Sequence, residues 1–156
     1  MEPMTPRLLF RAVAIAEAIT WAFLLTGMVL KYVTRTTDAL VPPAGALHGF
    51  VFLCFVAVTL FVWVNQRWRV ATGLLGLASA VVPFATVPFD VIVDRRGGLQ
   101  GGWRLRAGGD EPRGAIEQVQ AWVLRRPVIA AVSALLLVTA VFVALLLIGP
   151  PVPPSA

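Results

Sequence analysis

The sequence is poor in charge, cysteine and histidine. Charged residues make up 13% of the 156 positions, whereas soluble domains carry about 25%. Cys54 is the single cysteine, which excludes an intrachain disulfide and a cysteine-based metal cage. His48 is the single histidine, and zinc needs three or four protein ligands. We therefore expect no bound metal and no cofactor.

Catalytic and nucleotide-binding patterns are also missing. We find no Ser-His-Asp or Cys-His arrangement and no paired carboxylates at one depth, so we predict that the chain is not an enzyme. Gly108-Gly109-Asp110-Glu111 is similar to a nucleotide-cyclase signature but lacks the strand-rich soluble domain around it. The other Gly-Gly pairs lack the Gly-Lys-Ser/Thr of a phosphate loop.

The sequence does contain long apolar runs. Hydrophobic residues make up 58%, too many for a water-soluble surface, so the bilayer is the expected solvent. Runs long enough to span it occupy residues 8–30, 44–64, 70–92 and 127–148. The predicted fold is an all-α bundle of four transmembrane helices. Pro83 and Pro88 are expected to bend the third span, with neighbouring helices satisfying the freed carbonyls.

The chain divides into three parts: a three-span unit (1–96), a polar segment (97–126), and a fourth span with a Pro-rich tail (127–156). The segment begins with glycine pairs typical of a flexible linker. Asp110 is the expected N-cap of an amphipathic helix. Its apolar side carries Ile116, Val119, Trp122 and Val123. We predict that it lies on the membrane surface; the alternative is a soluble helix packed on the loop.

Orientation follows from the distribution of arginine and lysine. The net charge is +5, and the basic residues flank apolar runs, so we expect anionic lipid and not nucleic acid as the partner. Four spans place both termini on one side. The two odd-numbered loops then hold nine basic residues, against Arg7, Arg11, Arg67 and Arg69 on the other side. The positive-inside rule predicts a plasma-membrane protein with a cytoplasmic long loop and both termini outside.

Glu17 is the first candidate for a functional residue. It lies nine residues into the first span, about 13 Å deep, where an ionisable group is costly and indicates function by default. The alternative is a hydrogen bond to a neighbouring helix that fixes the packing. Ser79 and Thr139 fall near its level. Arg11 lies on a different face of the helix and is expected to extend to the headgroups.

His48, Lys31 and Asp90 form a second candidate set. Counting along four antiparallel spans brings the three to one interface, where they could make a polar cluster. Hydrogen bonding between helices is the favoured role, and histidine makes a pH-sensitive contact possible. Gly45 and Gly49, and the repeat of Thr72, Gly76 and Ala80, are typical of closely packed membrane helices.

Several spaced residues resemble a known family. They are Phe10-Arg11, Glu17, Trp21, Lys31-Tyr32, His48-Gly49-Phe50, Trp68 and Pro83-Phe84. Over residues 8–96 the chain resembles small bacterial integral membrane proteins, common in actinobacteria, that are catalogued as a domain of unknown function. The resemblance implies a plasma-membrane bundle and no known activity, substrate or cofactor.

Two functions fit these features. The first is a non-enzymatic accessory or scaffold subunit that meets other membrane subunits, or copies of itself, through helix faces. The second is a proton-coupled transporter acting as a homodimer, with Glu17 as the proton-binding group. It is suggested by small multidrug exporters, which have four spans and a glutamate in the first. Those exporters lack the polar insertion at 93–126.

Overall fold

The computed structural model describes residues 4–148, and in this range the chain is helical, with no strand. The elements are α1 (Pro6–Met28, continued by a π-helical turn Val29–Val33), α2 (Val41–Gln66), α3 (Val70–Ser79), α4 (Thr86–Arg95), α5 (Ala115–Arg125) and α6 (Pro127–Ile148). The all-α class is confirmed. The predicted helix stop at Gly149 and the Pro-rich tail lie outside the described residues.

Three helices are long and apolar enough to cross a membrane. They are α1 with its π-helical turn, α2 and α6, of 28, 26 and 22 residues. They correspond to the first, second and fourth predicted spans. Thr5 caps α1, because its hydroxyl accepts from the amide of Leu8 at 3.2 Å, and Pro6 follows where no helical partner is needed.

The predicted third span is not one helix. Residues 70–92 contain two short helices, α3 and α4, separated by a turn at residues 80–85. Pro83 ends helix propagation, and Phe84 takes a left-handed backbone with φ of 64°. Pro88 falls in the first turn of α4, where no amide is required. Two prolines five residues apart thus break the helix instead of bending it, and a four-span count is not confirmed.

After the turn, α4 runs antiparallel to α3 and returns to the end of the bundle where α3 begins. Ala80, at the end of α3, accepts from the Trp21 indole in the middle of the bundle, whereas Asp94, at the end of α4, reaches Arg7 at the start of α1. At the base, the Trp68 indole donates to the carbonyl of Gly98 at 2.7 Å, which joins the start of α3 to the chain after α4. We call residues 70–95 the hairpin and residues 80–85 its tip.

Close packing fixes the hairpin on the long helices. α3 packs on α2 and α4 on α1. A Cβ on Gly73 would come within 2.1 Å of the Trp63 ring, and one on Gly76 would lie 3.1 Å from Phe89 and Thr59. The predicted close approach at Gly76 is therefore present. By contrast, Gly45 and Gly49 make only ordinary contacts.

The glycine-rich start of the polar segment is folded, contrary to the flexible linker expected from composition. Leu99 and Leu105 are completely buried. The Trp103 indole donates to the carbonyl of Met4 at 2.6 Å, and Asn65, at the end of α2, bonds with the backbone of Gly102 and Arg104. The segment thus covers the ends of α1 and α2: its Trp103 side chain satisfies a backbone carbonyl before α1, and the Asn65 side chain of α2 satisfies backbone groups of the segment.

The helix predicted in the polar segment is present as α5 but begins at Ala115, after Gly114, and not at Asp110. The Asp110 carboxylate instead contacts the Arg104 guanidinium at 3.3 Å, so it is not free to act as a cap. Gln120 is buried against α2, where it donates to the carbonyl of Phe61 at 2.7 Å. The apolar side of α5 points outward: Ile116, Val119 and Trp122 are exposed.

The last helix sets the positions of the chain ends. α6 starts beside α5, and Phe142 near its other end contacts Gly49 and Phe50, close to the start of α2. α6 therefore runs antiparallel to α2. Residues 4 and 148 lie at opposite ends of the bundle, unlike the expectation that both termini share one side. We call the end that holds the start of α1 and residues 96–126 the arginine-rich end.

Candidate functional site

The site is built on one face of α1. Phe10, Ala14, Glu17 and Thr20 are buried along it at spacings of three and four residues, which places them on a single helical stripe. The stripe faces α4 and α2. Two of its members are polar and lie where a bilayer has no water to satisfy them, so the partners of these groups define the site.

Glu17 is completely buried, and its partner is Thr86 at the start of α4. The Thr86 hydroxyl lies 2.9 Å from the carbonyl oxygen of Ala14, to which it donates, and 3.3 Å from Oε2 of Glu17. Oε1 of Glu17 has no hydrogen-bond partner among residues 4–148. The partners suggested by depth are different: Ser79 donates to the carbonyl of Gly76, and Thr139 is exposed on α6.

His48 of α2 joins the same buried region through Thr20. Its Nδ1 lies 3.1 Å from the Thr20 hydroxyl, which donates its proton to the carbonyl of Glu17. The Trp21 ring packs on His48 with centroids 4.4 Å apart. Hydrogen bonding is thus what His48 does here, and it connects α2 to α1.

Arg11 does not extend away to the headgroups as expected. Its Nε donates to Oδ2 of Asp90 at 2.8 Å and its Nη2 to Oδ2 of Asp94 at 2.7 Å. Arg7, one turn earlier, also donates to Asp94, at 2.6 Å. Asp90 is nearly buried, so removing Arg11 would leave a carboxylate without its counter-ion, which is costly. These four residues form an ion-pair ladder that ties α4 to α1.

The predicted cluster of Lys31, His48 and Asp90 does not form. Asp90 is near the arginine-rich end with Arg11, because the hairpin turns back. Lys31 is exposed in the π-helical turn at the opposite end, where its amine lies 5.3 Å from the Tyr32 ring. His48 lies between the two levels. The prediction of this cluster depends on a continuous third span, which the structure does not contain.

A site that sequence reasoning missed lies at Arg104. Its guanidinium donates to the carbonyls of Val64 and Asn65, the last of α2, and to the Glu117 carboxylate at 2.7 Å. The guanidinium and the backbone amide of Arg113 hold the pKa of Glu117 below its ordinary value of 4.5. The only signal for this site in the sequence is an acidic residue in the first turn of a helix, because Arg104 lies in an irregular segment.

The described residues offer no cluster of metal ligands and two open grooves. No three histidine, cysteine or acidic residues of 4–148 lie close enough to hold a metal ion. An open groove of about 500 Å³ lies at the arginine-rich end between the start of α1 and residues 99–101. A second, of about 220 Å³, runs between α2 and α5. Neither groove includes Glu17 or His48.

Comparison with known proteins gives a family and no activity. A family described as a domain of unknown function (DUF3817) matches residues 8–95. A Streptomyces coelicolor protein whose name refers only to the membrane is 44% identical over 101 residues, which cover 63% of this chain. The chain spans 12% of the length of that relative. No solved structure matches.

Proposed function

This chain belongs to the DUF3817 family of membrane proteins, and on that premise we propose that it is a non-enzymatic accessory or scaffold subunit of a larger assembly in the plasma membrane. Its role in this proposal is to present helix faces to other membrane subunits. The observation that carries the proposal is the tip of the hairpin.

The tip has irregular backbone at a depth where lipid cannot satisfy it. α3 has ten residues, about 15 Å of helix, which is half of a hydrocarbon core of about 30 Å. Within the described residues, Val81 and Val82 are 66% and 56% exposed, and Pro83 and Phe84 are exposed as well. Irregular backbone at this depth is tolerated only when protein covers it or water reaches it. Because these four exposed side chains are apolar, they favour protein over water as the cover of the tip. The cover we propose is an apolar transmembrane helix of a partner subunit.

The length of the relative supports the same proposal. In the Streptomyces coelicolor protein the matching region is about an eighth of the chain. A module of this kind is therefore found joined to a much longer polypeptide. We infer that this module packs against other membrane segments of an assembly, as the longer relative suggests.

Photo-crosslinking from the tip tests the proposal. A photoreactive residue replaces Val82 in native membranes, and Leu136, an equally exposed residue of α6, provides the matched control. We expect position 82 to give one discrete adduct with a larger membrane protein, identified by mass spectrometry after mild-detergent purification. Lipid adducts alone at position 82, or the same adducts from both positions, would contradict a covered tip.

A homodimeric proton-coupled transporter is the second candidate. It is favoured by the buried Glu17, whose Oε1 has no partner within the described residues, beside a broken helix. The complete burial of Glu17, and its absence from both grooves, favour a packing role instead. Proton flux in liposomes separates the two: Glu17→Gln abolishes flux in a transporter and leaves a scaffold's binding of partners intact.

We propose that the arginine-rich end faces the cytoplasm. With the hairpin turning back, only Lys31 and Arg35 of the 13 basic residues lie at the opposite end. The other eleven are Arg7, Arg11, Arg67, Arg69, Arg95, Arg96, Arg104, Arg106, Arg113, Arg125 and Arg126. An asymmetry of eleven to two is strong by the positive-inside rule. α5 then lies at the cytoplasmic interface, with Ile116, Val119 and Trp122 toward the lipid.

A further inference from the structure

The arginine-rich end has more cations than its own carboxylates neutralise. Within residues 4–148, seven of its arginines make no ion pair: Arg69, Arg95, Arg96, Arg106, Arg113, Arg125 and Arg126. Among residues 4–148 the acidic residues at this end are five: Asp90, Asp94, Asp110, Glu111 and Glu117. Eleven arginines against five carboxylates leave a surplus of positive charge next to the membrane surface. Such a surplus attracts anionic ligands.

The open groove at this end has donors available for such a ligand. It is lined by Thr5, Arg7, Leu8, Arg11, Leu99, Gln100 and Gly101. In the ion-pair ladder, Arg7 and Arg11 each use Nε and Nη2, and Nη1 of both has no partner among the residues described. Each Nη1 carries two N–H groups, and both arginines line the groove. Their geometry suits the oxygens of a phosphate.

The wall of the groove is apolar on one side. Leu8 is 54% exposed and lies in the first turn of α1, where that helix begins to cross the membrane. Leu99 closes the floor and is completely buried. A phosphate in the groove would therefore sit at headgroup level with a hydrocarbon contact directly beside it. A free anion would gain nothing from the contact with Leu8, whereas a phospholipid has a phosphate for the arginines and an acyl chain for the leucine.

We propose that this groove binds the phosphodiester of an anionic phospholipid, with Arg7 and Arg11 on the phosphate and Leu8 against the acyl chain. Asp90 and Asp94 hold the two guanidiniums in place and moderate their charge, and the seven unpaired arginines make the surrounding field positive. The net charge of the lipid decides the selectivity. Phosphatidylglycerol is preferred over phosphatidylcholine, whose choline nitrogen cancels the phosphate charge.

Lipid retention by the whole chain tests the site. The protein is placed in nanodiscs of phosphatidylcholine with increasing phosphatidylglycerol, and bound lipid is counted by native mass spectrometry after release. We expect preferential retention of phosphatidylglycerol, weakened about fivefold in Arg7→Gln, as one lost cation near an anionic headgroup predicts. Arg106→Gln is the matched control, because it removes an exposed arginine at the same end outside the groove.

A second pair of variants leaves the ion-pair ladder intact. Gln100→Glu adds a negative charge to the groove wall, and Gln118→Glu adds the same charge on exposed α5. Only the first should weaken phosphatidylglycerol retention. Equal retention of both lipids, or equal effects within each variant pair, would overturn the proposal. Competition by inorganic phosphate at millimolar concentration would assign the groove to a free anion and overturn the lipid assignment.

Discussion

Thr86 is the residue at which the hairpin meets the first long helix. One hydroxyl serves two groups of α1, the carbonyl of Ala14 and the carboxyl of Glu17. An isosteric change at this position removes polar contacts without altering volume. This makes Thr86 a sharper probe of the buried site than Glu17, whose removal would also leave a cavity.

We expect Thr86→Val to lower the free energy of unfolding by about 1–3 kcal/mol, because the buried carboxyl of Glu17 loses its hydrogen-bonding neighbour and the carbonyl of Ala14 loses a donor. Thermal unfolding in detergent measures the change. The matched control is Thr59→Val: Thr59 is also buried, but its hydroxyl only adds to a helical carbonyl of Phe55. Equal effects from the two variants would show that the contact with Glu17 has no special weight.

The Arg104–Glu117 pair predicts a pH dependence outside the membrane. Arg104 and the amide of Arg113 lower the pKa of Glu117 in the folded state, and Arg67 adds a contact at 3.7 Å. A depressed pKa stabilises the fold above the unfolded value and loses this contribution as pH falls through the folded value. Amide exchange in α5 should therefore accelerate as pH drops below 4.5, after correction for intrinsic rates.

The control for this titration is Glu117→Gln. Glutamine keeps a hydrogen-bond acceptor but does not ionise, so α5 in this variant should be less protected at neutral pH and show no further loss in acid. If the wild-type chain and the variant lose protection in parallel, another group controls the docking of α5.

At the scale of helices, the sequence predicted the three long elements well and the hairpin poorly. Long apolar runs identify α1, α2 and α6 because a bilayer imposes about 20 residues on any span. Residues 70–92 satisfy the same length rule, yet Pro83 and Pro88 split them. Composition cannot distinguish one kinked spanning helix from two short antiparallel helices, because the direction of the second helix depends on tertiary contacts. These contacts are the bond from Trp21 to the end of α3 and the ion pair of Arg11 with α4.

The errors in the predicted site follow from the wrong prediction of a continuous third span. Glu17 is identifiable from depth alone, and the structure buries it completely, as a packing role requires. Asp90 was assigned to the wrong end, and the pairing of Arg11 was missed, because both depended on the direction of α4. Arg104 was not identifiable, since its role depends on a loop fold with no periodicity.

Glycine substitutions test the packing of the hairpin. A methyl group at Gly73 would meet the Trp63 ring, which is held by its bond to the carbonyl of Trp68 at 2.9 Å. We expect Gly73→Ala to destabilise the protein by about 1–3 kcal/mol through overpacking. Gly49→Ala, where the nearest atom is 3.5 Å away, should change the melting temperature little. A tolerated Gly73→Ala would mean that α3 can move away from α2.

At the scale of the whole molecule, the returning hairpin changes which basic residues share a side: the start of α1 and residues 67–69 join the long loop. With three spans, residues 93–126 share a side with the start of α1, so the basic residues divide eleven to two instead of nine to four. The same asymmetry disfavours a dimer of oppositely oriented copies, because one orientation is preferred for every chain.

Cysteine labelling checks the orientation. In a Cys54→Ser background, cysteines are introduced at Arg106, at the arginine-rich end, and at Thr37, at the opposite end. A membrane-impermeant maleimide added to intact cells should label position 37 and not position 106. Both should be labelled after permeabilisation. Labelling of position 106 in intact cells would place the arginine-rich end outside.

The shortness of α3 and α4 has a consequence for biogenesis. A ten-residue helix covers about 15 Å, half of a hydrocarbon core, so neither helix crosses the bilayer by itself. Their anchoring groups, Trp21 and Arg11, belong to α1, which leaves the ribosome first. We therefore expect the hairpin to reach its final position by docking on α1 and α2 after they are inserted, so that translation order contributes to the topology of the protein.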